Sequence, residues 1–231
     1  MTEPESISVE KNFLRKVMLR MGLGVLFIPL FILLPAGSWK FWQAWVYSFV
    51  LICPILYICV FFLKHDPEFL ERRMRTREKE VEQKRIIKMS FIPFVIMYIL
   101  PGLDFRFGWS RMPVWMVLLG TLIVFSGYLV VIVVFRENRY ASRIVEVEEK
   151  QKVIQSGPYA IVRHPMYVGV LLLYLFTPIA LGSYWALLPA LLIIPILIAR
   201  IINEEEVLAR DLKGYTEYMQ KTPYRLIPGI W

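Results

Sequence analysis

The chain reads as an all-α protein, a polytopic membrane helix bundle of about six transmembrane helices that includes a C-terminal helical hairpin. Three observations predict this class. Of the 231 residues, 57% are hydrophobic, against roughly 45–50% in soluble domains. The apolar residues are gathered in long runs parted by polar connections, as hydrocarbon-spanning segments require. The basic residues fall almost wholly on alternate connections, which is how topology is set. The net charge is +8. Because the basic residues flank apolar runs, they point to anionic lipid headgroups rather than to nucleic acid.

Residues 1–16 are polar and mixed in charge, with Glu3, Glu5, Glu10, Lys11, Arg15 and Lys16. They read as a loose arm that becomes a helix at the membrane surface. The first span is 17–36, with Arg20 close enough to its start to snorkel. A cleavable signal fits poorly, because the apolar run is long and holds Pro29 and Pro35. The second span is 41–63. Cys53 and Cys59 lie inside it at a spacing that suits neither zinc nor a redox motif.

Residues 64–88 are densely charged. Their core, 68–85, reads as a surface helix in which Glu78 and Glu82 are flanked by Arg75 and Arg85. The third span is 89–103, with Pro93 and Pro101 breaking its ends. The fourth is 113–135. A long polar connection, 136–162, leads to a short fifth apolar run at 166–181. The pair Gly182-Ser183 reads as a tight turn before the sixth run, 184–202, so the last two runs form an antiparallel hairpin. An amphipathic segment, 203–220, and an irregular tail close the chain. The whole forms one membrane domain: a four-span scaffold over 1–136 and a cofactor-binding catalytic region over 137–231.

With six spans, every Lys and Arg except Lys40, Arg106 and Arg111 falls on one side. That places both termini and both long connections in the cytoplasm. Trp39, Trp42, Trp45, Trp109, Trp115 and Trp185 all fall at the opposite interface, where indole rings favour the headgroup level.

The reactive side chains sit on the cytoplasmic side in three clusters. The first is 138–143, with Asn138, Arg139, Tyr140 and Arg143. The second is 157–169, with Tyr159, Arg163, His164 and Tyr167. The third is 200–206, where Arg200, Asn203 and Glu204 share one helix face at i, i+3 and i+4. The hairpin brings the second and third clusters to one mouth. Cations suit a carboxylate, carboxylates suit an amine or ribose hydroxyls, and tyrosines suit stacking. Taken singly, these residues have plain structural uses: Arg200 and Glu204 as an ion pair at a helix exit, Pro165 as a first-turn proline after His164. No metal site is expected, since His65 lies in another loop from His164. There is no P-loop and no glycine-rich dinucleotide fingerprint.

The motif Gly157-Pro158-Tyr159, Arg163-His164-Pro165, Tyr167 and Gly169 resembles the signature of the isoprenylcysteine carboxyl methyltransferase family and its prokaryotic relatives. Arg200, Glu204-Glu205, Leu208, Tyr215, Tyr218 and the closing Tyr224-Arg225-Leu226-Ile227-Pro228 extend the resemblance from Asn138 to the end. The resemblance implies an integral-membrane methyltransferase that uses S-adenosylmethionine without a Rossmann fold. It implies a cofactor pocket at the cytosolic mouth and a lipophilic or prenylated substrate that enters from the bilayer. By matched position, Tyr159, Arg163, His164, Pro165, Tyr167, Gly169, Glu204 and Glu205 bind the cofactor. Arg200, Glu204 and Arg163 are the catalytic candidates, Arg200 for an acceptor carboxylate and Glu204 or Glu205 for a proton on an amine acceptor. Two other classes compete. Sterol-type reductases, which bind NADPH, resemble this C-terminal region but are longer. A transporter or scaffold predicts ionisable residues along the spans rather than at one mouth.

Overall fold

The computed structural model describes residues 3–75, 78–148 and 150–231, with side chains from Phe13 onward. It is all-helical, and no strand occurs among the described residues. Five helices are long and apolar enough to cross a membrane: Phe13–Ala36, Trp42–His65, Val81–Phe107, Val114–Glu137 and Leu187–Asp211. They correspond to the expected runs one to four and six.

Helix α1 (Glu3–Ala36) is continuous, so the expected loose arm is helical from Glu3. The acidic side chains Glu3, Glu5 and Glu10, and Lys11, lie outside the described side chains. Helix α2 (Trp42–His65) ends where Asp66 accepts a hydrogen bond from the Phe69 amide at 3.0 Å. With Pro67 in the first turn, this starts helix α3 (Pro67–Met74). Arg75, after α3, and Glu80, before helix α4 (Val81–Phe107), are both extended. The single surface helix expected over 68–85 is therefore two helices with a break, residues 76–77 lying outside the description. Local charge pairing is overridden by distant partners: Arg75 pairs with Glu146 at 2.7 Å, and Glu78 accepts from the Val145 amide at 3.1 Å.

Helix α4 also corrects the third span. It runs through both Pro93 and Pro101. In a bilayer a proline costs one hydrogen bond, yet leaving the helix exposes more backbone to hydrocarbon, so the helix continues. It stops at Gly108, whose φ of +67° suits glycine.

Helices α5 (Val114–Glu137) and α6 (Pro165–Ala180) pack most closely. A Cβ on Gly127 would lie 2.8 Å from the Gly169 carbonyl, and one on Gly169 would lie 2.7 Å from the Gly127 carbonyl. Small residues let the two backbones touch, which is how helices associate where lipid removes the hydrophobic drive. Helix α6 has 16 residues, a rise of about 24 Å, short of the ~30 Å hydrocarbon core. The turn after it is wider than the expected two residues: helix α7 (Leu187–Leu191) begins only at Leu187 and leads directly into α8 (Ile193–Asp211). Helix α8 carries the sixth run well past residue 202. Gly214 then breaks the chain before α9 (Tyr215–Lys221).

One end of the bundle is tied by its three short loops. The Ser183 hydroxyl donates to Asp104 at 2.5 Å, and the Ser110 amide and hydroxyl donate to the same carboxylate at 2.6 Å each. The loops that carry Trp39, Trp109 and Trp185 thus share one end. The 138–164 connection and the C-terminal tail share the other.

Candidate functional site

The second end begins with the helix stop at Glu137. Asn138 donates from its side-chain amide to the Tyr159 hydroxyl at 2.9 Å, and its carbonyl oxygen accepts from the Tyr140 amide at 2.9 Å. Ser156 is hydrogen-bonded to Glu137. Gly157, at φ +56°, turns the chain against the Glu137 side chain and into a short 3-10 turn over Gly157–Ala160. Pro158 opens that turn and Pro165 opens α6. Between them the backbone pairs with the tail: the Arg163 amide donates to the Tyr224 carbonyl at 2.9 Å and the His164 amide to the Arg225 carbonyl at 3.0 Å.

Glu205 on α8 is the knot of this end. Its carboxylate is 4% exposed. It accepts from Arg163 Nε at 2.6 Å, sits 3.1 Å from His164 Nε2, and accepts from Arg225 Nε at 2.8 Å. Arg163 also donates to the Thr222 and Pro223 carbonyls at 2.8 and 2.7 Å. One carboxylate therefore binds two arginines and a histidine from the loop and the tail. Such a buried cluster is held because each charge has a partner.

One residue earlier, Glu204 faces a different space. The Tyr167 hydroxyl donates to Glu204 Oε2 at 2.6 Å and accepts from Arg200 Nε at 2.8 Å. The Arg200 Nη2 group donates to the Arg143 carbonyl at 2.9 Å. Arg200 and Glu204 are one turn apart on α8, and Tyr167 on α6 bridges them. This chain walls a cavity of about 100 Å³ that opens toward solvent. Its other walls come from Asn138, Ile144, Tyr159, Arg163, Tyr215 and Tyr218, among others. Among the described residues the buried Tyr215 hydroxyl has no hydrogen-bond partner. An orphaned phenol on a cavity wall is a group waiting for a ligand atom.

The candidates therefore divide. Tyr159, Arg163, His164, Tyr167, Arg200 and Glu204 all line the cavity. Pro165, Gly169 and Glu205 are not among its lining residues. Pro165 starts a helix, Gly169 is spent on contact with α5, and Glu205 stands behind the wall. Arg225 was not singled out as a site residue, although its approach to Glu205 completes the knot. The only sequence signal for it is its place in the closing tail. Ile144 and Val145 are buried within a polar connection, an apolar pair that a charge-based reading passes over.

Burial raises the phenols of Tyr159 and Tyr215 above the ordinary tyrosine value. It pushes Tyr218 up to about 12, against the opposing pull of Arg163. These tyrosines stay neutral at physiological pH and act as hydrogen-bond donors. Glu146, on the connection that lines the cavity, shifts the other way. Burial pushes its carboxyl up, but hydrogen bonds and charges from Lys79 and Arg75 outweigh that and hold it below the ordinary carboxylate range.

Residues 115–213 match the phospholipid methyltransferase family. The match runs from the start of α5 to the end of α8, and so covers the Tyr167, Arg200 and Glu204 wall. No curated protein matches the chain. The family match, together with the five apolar helices, supports an integral membrane methyltransferase.

Proposed function

We propose that the chain is an S-adenosylmethionine-dependent methyltransferase that acts on a lipophilic acceptor carrying a carboxylate, such as a prenylated cysteine or a related lipid-like acid. The observation that carries the reading is the Arg200–Tyr167–Glu204 chain on a cavity wall inside the family-matched stretch. The orphaned Tyr215 hydroxyl and the neutral phenols of Tyr159 and Tyr218 suit a zwitterionic, hydroxyl-rich cofactor. Arg163, locked by Glu205, gives that cofactor's carboxylate a fixed cation, with His164 beside it as a hydrogen-bonding group.

The cofactor supplies a methyl group on a sulfonium: its C–S bond breaks as the acceptor attacks, and a neutral thioether leaves. The chain's own task is alignment and exclusion of water. Arg200 has one guanidinium nitrogen free of hydrogen bonds in the cavity wall and orients an acceptor carboxylate there. A carboxylate acceptor has no proton to lose, so no base is required. The enclosed space is smaller than the ~300 Å³ of ordinary small-molecule pockets. The irregular wall at 139–148, held by surface ion pairs, is the wall that yields. The cavity and the basic connections share one end, which the charge distribution puts in the cytoplasm.

A second reading takes a phospholipid amine as the acceptor. The description of the matched family favours it, and Glu204, with one oxygen free of hydrogen bonds, is placed to take the amine proton. Labelled-methyl transfer into a lipid extract, with identification of the product, separates the two. A labelled ester supports the first reading and a labelled amine the second. Calorimetric titration with S-adenosylhomocysteine and with NADPH tests the cofactor. Binding of NADPH alone marks a reductase, and binding of neither marks a non-enzymatic membrane protein.

A further inference from the structure

A second cavity lies in the N-terminal half, outside the polar pocket. It measures about 220 Å³ and is lined by Val17, Arg20 and Met21 of α1, Ile55, Ile58 and Cys59 of α2, Leu70, Arg73 and Met74 of α3, and Phe135 of α5. None of these residues lines the polar pocket. Its walls are apolar except for two guanidiniums, and no carboxylate is among them. Among the described residues each guanidinium has a single hydrogen bond, to a backbone carbonyl: Arg20 to Met74 at 2.9 Å and Arg73 to Ser142 at 2.8 Å. Arg73 also lies over the Phe135 ring, 4.6 Å from its centroid. Among the described residues no carboxylate lies within ion-pair distance of either.

The slot does not end at its apolar walls. Ile55 also lines an adjoining cavity of about 340 Å³, whose other walls include Phe27, Phe31, Tyr98 and Tyr174. Two cations with no carboxylate partner among the described residues, in a slot that shares Ile55 with a second apolar cavity, match one kind of molecule. An anion satisfies the guanidiniums, and a hydrocarbon chain satisfies the rest. We infer that this slot binds an anionic phospholipid, its phosphate between Arg20 and Arg73 and an acyl chain running past Ile55. Burial and the like charges of Arg143 and Arg200 pull the Arg73 guanidinium down to about 10, which a bound anion relieves. Because Arg73 also holds the Ser142 carbonyl, the lipid steadies a segment that walls the polar pocket. The inference stands apart from the methyl-transfer reading, since it concerns other residues and another ligand.

Native mass spectrometry of the full chain in detergent tests it, with dioleoyl phosphatidylglycerol competed against dioleoyl phosphatidylcholine. The expected preference for the anionic lipid is about tenfold or more. Arg20→Gln, at an exposed position that leaves the fold intact, lowers the preference about fivefold, as does loss of one cation near a headgroup. Cys59→Trp fills the slot without changing charge and abolishes it. Equal retention of the two lipids overturns the inference. So does a preference that survives both Arg20→Gln and Cys59→Trp, since the lipid is then bound elsewhere. Displacement of the lipid by inorganic phosphate at equal concentration also overturns it, because the slot then takes an anion without its chain.

Discussion

The two ends of the bundle are each tied by a buried carboxylate, and the two are satisfied in opposite ways. Asp104 is 2% exposed and takes hydrogen bonds from an amide and two hydroxyls, all neutral. It joins the loops that carry Ser110 and Ser183. Glu205 is 4% exposed and is bound by two arginines and a histidine. Beside it stands a second carboxylate, Glu204, with one partner and a cavity in front of it. The contrast shows what separates a packing knot from a site. A knot closes its own hydrogen-bond account, whereas a site leaves groups open next to ones that are locked. Tyr215 and Arg200 are open, and Arg163 and His164 are locked.

Substitutions can break this contrast, beginning with the largest effect. Glu205→Ala strands buried cations and is expected to cost about 3–5 kcal/mol of stability. Chemical denaturation checks this, and S-adenosylhomocysteine binding falls with it. Asp104→Ala costs less, about 1–3 kcal/mol, because it strands only neutral donors. It leaves ligand affinity unchanged in the folded fraction. Equal effects of the two on affinity would remove the distinction between the ends.

Arg200→Ala is expected to lower methyl transfer about a hundredfold with the fold intact, the scale for a group that positions a reactant. Single-turnover kinetics separates this from weaker cofactor binding. Tyr167→Phe keeps the ring and removes the bridge between Arg200 and Glu204. The expected loss is about tenfold in rate, one hydrogen bond to charged groups.

The smallest effect concerns the connection that walls the pocket. Glu146 has a folded pKa below its ordinary value, so the unfolded chain binds more protons in that range. Its contribution is present above the unfolded carboxylate value, about 4.3, and is lost as pH falls through the folded one. Protection factors at 143–148, corrected for the intrinsic pH dependence of exchange, are therefore expected to fall on acidification. Glu146→Gln exchanges quickly at neutral pH and loses that acid dependence.

The spans were legible because hydropathy is a local property, and five of the six runs appear as helices of spanning length. Pro93 misled as a boundary, because the rule that prolines end helices belongs to water rather than lipid. The charged stretch 68–85 misled for another reason. Neighbouring charges suggested a helix, but Arg75 and Glu78 pair with residues some seventy positions away. At the site, the convergence of Arg163, His164 and Tyr167 with Arg200 and Glu204 followed from motif spacing and a hairpin. What spacing could not convey was division of labour. Glu204 and Glu205 are adjacent, yet a helix turns them about 100° apart, one toward the cavity and one toward Arg225. Gly169 looked like part of a motif and proved to be the point of contact with Gly127.

The central claim is that the methyl donor binds at the end that holds Glu204 and Glu205. Hydrogen-exchange mass spectrometry of the purified chain with and without S-adenosylhomocysteine tests it most directly. Slower exchange is expected at 138–148, 159–167 and 200–218, with no change at 37–41, 108–113 or 181–186. Protection at the Asp104 end, or an unchanged pattern at saturating ligand, would contradict the account.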